Sequence, residues 1–515
     1  MKSPILISGR RWRQISQVVC LLGFLWLFLQ TEYRGVDLLP YPVSLLFRID
    51  PLAALADALA PGPFSIGLLW PALLLLLLTF LLGRFFCGWI CPLGTTLDGL
   101  GRVVGRGRGG VRPAWRRAKY LLLAGLVVAA LFGVQQFGLF DPLSIFLRTL
   151  TLVVYPLWNL ALNQFFDLTY NAGLEPLSAA YPFFRDHLMA FHQPVFLLAT
   201  STLVVFLIIL LLEKVERRFW CKNLCPLGAL LGLCSRHTLL DRKPHQVCDD
   251  CSLCASSCRS GVVGGRYRSA ECLLCLDCSG FCPQERISFR PARHPAAPLD
   301  LPRRHLMTAV AGGVLLAPTL NLAPAPGRLN GSLIRPPGAV EEAAFLRRCI
   351  RCGECMKVCI GGALHPTFLQ AGPAGMWTPL LVARLGYCEY NCTLCGQVCP
   401  TGAIKALKVE EKRRTVIGLA VLDKNRCLPL ARNEECLVCE EHCPTGDKAI
   451  VFDDKEVLVD GRTLQLKRPR VVKRLCIGCG ICETKCPVEG RSAIVVINEG
   501  ESRQPRDEID SGGYG

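Results

Sequence analysis

The sequence predicts a multi-domain protein, with an α-helical membrane domain of four to five spans followed by α+β bacterial ferredoxin-like domains that bind [4Fe-4S] clusters. Two observations support this fold class. Hydrophobic residues make up 51% of the 515 residues, a high share for a soluble protein, and the mean hydropathy is +0.35. The chain also contains 30 cysteines, most of them in short runs with metal-ligand spacing. So many cysteines in a long, partly apolar chain do not indicate a small secreted disulfide scaffold.

The formal net charge of +17 does not indicate a nucleic-acid partner. Many basic residues lie beside apolar segments, as the positive-inside rule expects of a membrane protein. A [4Fe-4S] cluster with four thiolates carries about −2, so six clusters would remove about 12 positive charges. With its clusters bound, the protein is expected to be only mildly basic. Its apolar segments are expected to contact membrane lipid.

Residues 1–240 form the predicted transmembrane domain. Four apolar segments have roughly the length that crosses about 30 Å of hydrocarbon as a helix. These segments are Ile15–Leu29, Ile66–Phe86, Tyr120–Phe140 and Pro194–Leu212. A weaker stretch, Leu143–Leu162, is predicted to be interfacial or re-entrant. Basic loops, whose charges include Arg84 and Arg218, put both ends of this four-span set on the cytoplasmic side of the inner membrane.

An internal repeat ends each half of this domain with a pair of cysteines. Cys87 and Cys91 are followed by Pro-Leu-Gly, and so are Cys221 and Cys225. An Asp-Pro-Leu tripeptide precedes the span that leads to each pair. The two units form a parallel repeat with its pseudo-axis along the membrane normal. We therefore expect the four cysteines to meet at the cytoplasmic face as a candidate additional redox or metal site, with simple packing of helix ends as the alternative.

Six runs of four cysteines are predicted to hold six [4Fe-4S] clusters. The first two form a two-cluster ferredoxin domain at 241–290. They are Cys248, Cys251, Cys254 and Cys258, then Cys272, Cys275, Cys278 and Cys282. Three thiolates at the spacing C-x-x-C-x-x-C bind one cubane, and the fourth cysteine binds the neighbouring cluster. Cys282 is thus expected to complete the first cluster and Cys258 the second. Zinc ribbons need two pairs instead of a triplet plus a displaced fourth cysteine.

Four more runs lie in a predicted four-cluster domain at 336–500. They are Cys349, Cys352, Cys355 and Cys359; Cys388, Cys392, Cys395 and Cys399; Cys427, Cys436, Cys439 and Cys443; and Cys476, Cys479, Cys482 and Cys486. Ala403, Ala449 and Ala493 each begin an Ala-Ile dipeptide shortly after a run, which indicates a short strand leaving the cluster loop. Cys20 and Cys234 belong to no run or pair and are expected to be packing residues.

Residues 291–335 are predicted to be a Pro-rich linker with an export signal. Arg303-Arg304 precedes an apolar run from Leu306 to Ala323, and together they resemble an uncleaved twin-arginine signal that doubles as a fifth span. An ordinary apolar linker is the alternative. With a working signal, the C-terminal ferredoxin domain lies in the periplasm, and about 30 Å of hydrocarbon separates the two sets of clusters. Residues 501–515 are expected to be a disordered tail.

The motifs of other cofactors are absent from the sequence. No C-x-x-C-H motif for c-type haem occurs, and the Gly-rich string at 105–110 follows no predicted strand, so it does not indicate a nucleotide site. No haem, flavin or NAD is therefore expected, and no catalytic residue is predicted. His187 and His192 lie in an outer loop, where solvation is expected rather than contact with a quinone headgroup.

Together, these motifs resemble a fusion of two accessory proteins of periplasmic nitrate reduction. Residues 1–290, with both cysteine pairs and the first two runs, resemble the NapH-type membrane ferredoxins. Residues 300–500, with the four distal runs, resemble the NapG-type polyferredoxins that are exported by the twin-arginine route. The resemblance implies a quinol dehydrogenase component that passes electrons from quinol to a periplasmic reductase or cytochrome.

The same resemblance implies nested pairing of the four distal runs. The outermost runs would exchange their fourth ligands, Cys359 and Cys486, and the inner runs would exchange Cys399 and Cys443. The residues alone leave sequential pairing open. A second function also stays open, because NosR-type maturation proteins and a copper-reducing assembly ferredoxin share the membrane cysteine pairs. In that case the chain would donate electrons while another metalloprotein matures.

Overall fold

The computed structural model of the chain describes residues 4–62, 65–105, 113–244, 258–263, 266–282, 287–291, 301–320, 331–459 and 462–505. Its N-terminal part is a bundle of helices. They are α1 (Pro4–Gln30), α2 (Pro51–Ala58), α3 (Ile66–Leu82), α4 (Phe85–Trp89), α5 (Pro92–Val104), α6 (Ala118–Leu131), α7 (Phe137–Phe140), α8 (Pro142–Thr149), α9 (Tyr155–Asn171), α10 (Glu175–Ser178), α11 (Tyr181–His187), α12 (Ala199–Leu211), α13 (Phe219–Asn223) and α14 (Pro226–Ser235). Short 3-10 turns lie at Val43–Ile49, Pro113–Arg117 and Leu212–Lys214, and a π turn at Leu150–Val154.

The helices differ in length from the apolar segments of the sequence. Gly83 has a φ of +82°, a left-handed value that glycine adopts without strain, and the chain turns there from α3 into α4. Leu198 also has a positive φ, so α12 starts after it. Among the described residues, Gly9–Gln30 and Pro142–Asn171 are long and apolar enough to cross a membrane. The second stretch joins α8, the π turn and α9, and it contains the segment predicted to be interfacial. The remaining predicted spans stay predictions.

The internal repeat appears as two short capped helices in the core of the bundle. Asp50 Oδ1 accepts a hydrogen bond from Leu52 N at the start of α2, and Asp141 Oδ2 accepts one from Ser144 N at the start of α8. Proline at the first position suits a helix start. α2 packs on α14 and α8 packs on α5. Each half of the repeat thus places its capped helix against the helix that follows the other half's cysteine pair.

A small ferredoxin-like unit, here called the proximal unit, packs on one end of the bundle. It contains β1 (Leu240–Pro244), β2 (Val262–Val263), β3 (Arg266–Tyr267), a 3-10 turn (Ser269–Glu271), α15 (Asp277–Phe281) and β4 (Ile287–Pro291). β1 pairs antiparallel with β4, and β2 pairs with β3. The β1–β4 pair therefore joins the beginning and the end of the segment that carries the first two cysteine runs.

α16 (Arg303–Leu320) packs along α6 and runs parallel to it. A Cβ atom added at Gly313 would lie 2.6 Å from the carbonyl oxygen of Gly125, and Ala317 packs on Ala129 further along. Small residues allow such close approach of two helices. The first turn of α6 contacts the proximal unit through Lys119, so the Arg303 end of α16 lies at that end of the bundle.

The C-terminal part consists of two further ferredoxin-like units with a shared core. Its elements are α17 (Glu342–Arg348), α18 (Glu354–Lys357), β5 (Leu364–Pro366), β6 (Pro379–Leu381), α19 (Leu394–Gln397), α20 (Val409–Arg413), β7 (Leu419–Leu422), α21 (Val438–Glu441), β8 (Ile450–Val459), β9 (Arg462–Val471), α22 (Ile481–Lys485) and β10 (Ile494–Ile497), with a 3-10 turn at Pro373–Gly375 and a π turn at Leu428–Arg432. We call these the first and second distal units.

In each distal unit, short β pairings join residues from the two ends of the unit. Ala339 forms a β-bridge with Ile404 in the first unit, and β7 pairs with β10 in the second. The predicted strands after Ala449 and Ala493 are confirmed by β8 and β10, whereas the Ala-Ile at Ala403 makes a single bridge. Each unit therefore contains two adjacent cysteine runs.

The prediction of a disordered tail is wrong for the first residues of that tail. Ser502 N donates to Val416 O, and Arg503 donates to Glu342 at 2.9 Å while its side chain is nearly buried. The reason is that Glu342 sits between two cations, Arg335 and Arg503, and this pairing draws the chain end onto the first distal unit. Residues 506–515 lie outside the described residues.

Two contacts of α1 give the distance between the proximal and distal units along the bundle. Arg13 lies 3.6 Å from Asp277 of the proximal unit, and the carbonyl of Thr31, just beyond α1, accepts a hydrogen bond from Lys357 of the first distal unit. At 1.5 Å per residue, these two contacts are separated by about 27 Å along the helix axis. The proximal and distal units thus occupy opposite ends of the bundle.

A buried ion cluster fixes the proximal unit to the bundle. Glu271 accepts hydrogen bonds from Arg84 at 3.1 Å, from Lys119, and from the hydroxyl of Tyr120 at 2.9 Å. Although burial opposes its charge, Lys119 and Arg84 hold the pKa of Glu271 below its ordinary value. Glu271 is therefore a buried anion whose removal leaves two buried cations underpaired.

We expect Glu271→Gln to destabilise the protein by about 3–5 kcal/mol, because it breaks a buried ion cluster by removing one partner. Asp453→Asn is the matched control, since Asp453 pairs with Arg470 at 3.2 Å with both side chains about half exposed. Such an exposed pair is worth about 1 kcal/mol or less. Thermal unfolding midpoints of the purified variants measure the difference, and equal midpoints would contradict the assigned role of Glu271.

Candidate iron–sulfur sites

The second run of the proximal unit surrounds a cavity together with Cys258. Cys272, Cys275 and Cys278 line this cavity, and the fourth thiol comes from the preceding run. Cys258 lies within electrostatic range of each of the other three thiols. This is the exchange of fourth ligands that the spacing predicts. Cys248, Cys251 and Cys254, which are predicted to share a cluster with Cys282, lie outside the described residues.

In the first distal unit, the two runs exchange their fourth cysteines. Cys349, Cys352 and Cys355 line a cavity together with Cys399. Conversely, Cys359 lies within electrostatic range of the run that starts at Cys388, whose triplet is Cys388, Cys392 and Cys395.

The second distal unit repeats this arrangement. Cys476, Cys479 and Cys482 line a cavity together with Cys443. Cys486 in turn lies within electrostatic range of Cys427, whose run continues with Cys436 and Cys439. Two thiol quartets thus form in each distal unit, and in each quartet the fourth thiol comes from the adjacent run.

The nested pairing of the distal runs is therefore wrong, and the pairing is sequential. The physical reason lies in the short strands. The bridge between Ala339 and Ile404 closes the first distal unit around two adjacent runs, and the pairing of β7 with β10 closes the second around the next two. Nested pairing would require a run of one unit to exchange a ligand with a run of the other.

The four distal quartets follow one another in a line. Cys355 of the first quartet and Cys395 of the second lie within electrostatic range of each other and pack against the same small hydrophobic cluster. Cys388 N donates to Cys479 O at 2.8 Å between the second and third. Cys482 lies within electrostatic range of Cys439 of the fourth. The first quartet contacts the bundle, since Cys352 belongs to the hydrophobic core of the bundle.

The two cysteine pairs of the bundle converge on one place, here called the four-thiol site: Cys87, Cys91, Cys221 and Cys225. All four are buried, and every pairing among the four thiols is within electrostatic range. Gly228 N donates to Cys225 Sγ at 3.2 Å. The convergence predicted from the repeat is thus seen in the structure, whereas Cys20 and Cys234 lie outside the site.

The four-thiol site also contains two arginines that the sequence places among the basic loop charges. Arg84 and Arg218 each precede a cysteine pair by three residues, and both side chains are fully buried. Each reaches across to the other repeat, where a Cβ added at Gly228 would meet Arg84 and one added at Gly94 would meet Arg218. Their matching positions before Cys87 and Cys221 are the sequence signal that could have identified them.

Burial alone would keep these thiols protonated. It raises the pKa of Cys221 and of Cys399 to about 11, and that of Cys479 to about 12. Thiolate ligation therefore requires a metal to displace the proton. No group of three or more described Cys, His, Asp or Glu side chains is arranged to hold a single metal ion. A cubane instead takes one thiolate at each of four corners, so its ligands stand around a cavity.

Sequential pairing predicts which signal disappears when a fourth ligand is removed. In Cys399→Ser, we expect the cluster at Cys349, Cys352 and Cys355 to be damaged, because Cys399 is the fourth thiol of that quartet. The matched variant Cys359→Ser should damage the cluster at Cys388, Cys392 and Cys395 instead. Electron paramagnetic resonance of the dithionite-reduced proteins separates the two. Damage to the run at Cys427 in Cys399→Ser would restore nested pairing.

Comparisons with known proteins agree with an iron–sulfur protein. A family described as a 4Fe-4S binding domain matches residues 64–110 and 198–245, and each match contains one cysteine pair of the four-thiol site. The ferredoxin-type protein NapG of Escherichia coli is 36% identical over 208 residues, which cover 39% of this chain and 87% of NapG. The methylamine utilization ferredoxin-type protein MauM of Methylorubrum extorquens is 33% identical over 210 residues, or 39% of this chain and 91% of MauM.

A third relative extends the same group. The MauM protein of Paracoccus denitrificans is 33% identical over 196 residues, which cover 38% of this chain and 83% of the relative. No solved structure matches the chain. The resemblance to the Nap-type ferredoxins is thus confirmed, whereas a relation to NosR is not shown. The chain belongs to the family of ferredoxin-type electron-transfer proteins that includes NapG and MauM, and it contains 4Fe-4S binding domains.

Proposed function

We propose that the chain is a membrane-bound polyferredoxin that carries electrons from the quinol pool to a periplasmic reductase or cytochrome. Six [4Fe-4S] clusters, held by the 24 cysteines of the six runs, carry the electrons. The observation that supports this most is the line of thiol quartets from Cys352, in the core of the bundle, to the run at Cys427. Adjacent quartets allow an electron to pass between neighbouring clusters at each step.

The last quartet of the line has the features of an exit site. Cys436, Cys439 and Cys486 of this quartet are only partly buried, and the loop around Cys436 and Cys439 carries the exposed acidic residues Glu434 and Glu441. Complementary charge steers redox partners into short-lived encounters. A partner protein with a basic face around its own redox centre therefore fits this end of the chain.

Membrane anchoring and the two-sided arrangement are part of the proposal. Gly9–Gln30 and Pro142–Asn171 have the length and composition of spans, and the basic residues at the N-terminal ends of α1 and α6 favour a cytoplasmic proximal unit. The parallel course of α16 and α6 favours a crossing of the chain from the proximal to the distal side. The distal units would then lie in the periplasm.

Reduction by quinol tests the electron-relay function. We expect anaerobically purified protein to contain at least about 24 iron and 24 acid-labile sulfide per chain, because six runs hold six cubanes. Added menaquinol or ubiquinol should bleach the visible absorption of the clusters and generate reduced-cluster resonance signals. A maturation factor, the alternative function, has no need of quinol as its donor. Iron near eight per chain, stoichiometric zinc, or clusters that dithionite reduces but neither quinol reduces would contradict the relay.

The position of the distal units can be tested at the chain end. We expect a phosphatase fused after Gly515 to be active and a fluorescent protein that matures only in the cytoplasm to stay dark, because Arg303-Arg304 starts an export signal. Arg303→Lys/Arg304→Lys should abolish the phosphatase activity, and Arg347→Lys/Arg348→Lys is the matched control outside the signal. A fluorescent fusion together with unchanged quinol-dependent activity in the first double variant would put all clusters inside.

A further inference from the structure

We infer that the four-thiol site binds one additional [4Fe-4S] cluster, shared by the two sequence repeats, and that this cluster joins the proximal and distal quartets into one electron path. Each of the matched segments, 64–110 and 198–245, brings only two cysteines to this site, whereas a cubane takes four thiolates. One cluster therefore needs both segments. Its role in electron flow rests on the proposed function, but the binding of the cluster does not.

Buried positive charge supports a cluster at this site. Arg84 and Arg218 are both fully buried, and Arg84 acts electrostatically on Cys87 and Cys225 as Arg218 does on Cys221 and Cys91. A cubane with four thiolates carries about −2, a charge that two guanidinium groups balance. Glu271 and Asp98 pair with Arg84 and Arg218, but each carboxylate also pairs with a second cation, Lys119 or Arg259. The region around four neutral thiols would therefore keep a net positive charge.

Arg84 also has hydrogen-bond donors that point to a missing acceptor. Among the described residues, its Nε and Nη2 have no hydrogen-bond partner. A Cβ added at Gly228 would lie 2.7 Å from this Nη2, and Gly228 N donates to the thiol of Cys225. An unsatisfied buried N–H group costs free energy. The sulfur atoms of a bound cluster, next to Cys225, are acceptors within this space.

The four-thiol site lies between the proximal and distal quartets. On one side, the backbone carbonyl of Leu273, next to Cys272, packs directly on Gly88, next to Cys87. On the other side, the carbonyl of Ile350, between Cys349 and Cys352, packs directly on Gly138. Leu273, the four thiols and Ile350 belong to one continuous hydrophobic core.

Along α1, the four-thiol site lies between the contact with the proximal unit and the contact with the first distal unit. Gln17 donates to the carbonyl of Gly88 at 3.0 Å, so the site lies level with Gln17. Arg13 at the proximal unit is about 6 Å away along the axis and Thr31 at the first distal unit about 21 Å away. Since tunnelling slows steeply with distance, a centre here shortens the longest step of the path.

The redox step at this cluster is a one-electron relay. Oxidation of one quinol to quinone releases two protons and two electrons, which leave one at a time. Each electron converts a [4Fe-4S]2+ cluster into [4Fe-4S]+, and the four-thiol cluster returns to its oxidised state when it passes the electron to its neighbour. The cluster is therefore unchanged after each transfer, and the final acceptor is the redox partner of the proposed function.

Iron and sulfide analysis of full-length protein tests the binding of this cluster. We expect about 28 iron per chain in the unmodified protein and about 24 in Cys87→Ala/Cys221→Ala, which removes one thiol of each repeat. Cys20→Ala/Cys234→Ala, with two cysteines of the same bundle outside the site, should keep about 28. Equal iron in the first variant and the unmodified protein, or one zinc in place of four iron, would overturn the inference. Iron far below 24 would also overturn it as stated, because the six runs must stay loaded.

Quinol reduction of the same variants tests the linking role. In Cys87→Ala/Cys221→Ala, we expect quinol to reduce clusters at one end of the bundle only, so fewer reduced clusters appear than in the control variant, whereas dithionite reduces both proteins equally. Full reduction of the variant by quinol at the control rate would overturn the linking role. Quinol that fails to reduce even the unmodified protein would refute the proposed function, while the iron difference between the variants would still decide whether the site binds a cluster.

Discussion

A cubane needs four thiolates, and one C-x-x-C-x-x-C loop supplies only three. This constraint shapes the cluster-bearing parts of the protein. Each run must face a second run that donates the fourth thiol, as Cys258 does for the run at Cys272 and Cys399 for the run at Cys349. Short β pairings close the segment around the two runs, as β1 with β4 and β7 with β10 do. The chain has therefore repeated the same two-run unit along its length.

The helical bundle meets a similar constraint in a different way. Here each repeat supplies two thiols instead of four, and the repeats interlock so that Arg84 reaches Gly228 and Arg218 reaches Gly94. Asp98 and Glu271 pair with these arginines and also connect the bundle to the proximal unit, because Arg259 binds Asp98 and Glu271 belongs to that unit. Packing, charge balance and attachment of the proximal unit thus depend on the same few buried side chains.

The cysteine runs, the exchange at Cys258 and the convergence of the two membrane pairs can be predicted from the sequence, because ligand spacing and the internal repeat are visible in it. Sequential pairing in the distal part cannot be predicted in this way. The spacing fixes three ligands of each cluster, and the fourth depends on the pairing of Leu419–Leu422 with Ile494–Ile497, short strands far apart in sequence. A single basic residue such as Arg84 or Arg218 does not show that its side chain turns inward, and only the matching positions of the two before the cysteine pairs could have shown it.

With the four-thiol cluster in place, the cluster sites form one continuous file through the bundle and into the distal units. Iron anomalous scattering from crystals of the purified protein measures this most directly, because it locates each metal centre without assumptions about its ligands. We expect seven iron centres in single file, with one between Cys87 and Cys221 and the first distal centre beside Cys352. Two groups of iron centres separated by an iron-free bundle, or zinc at the four-thiol site, would contradict it.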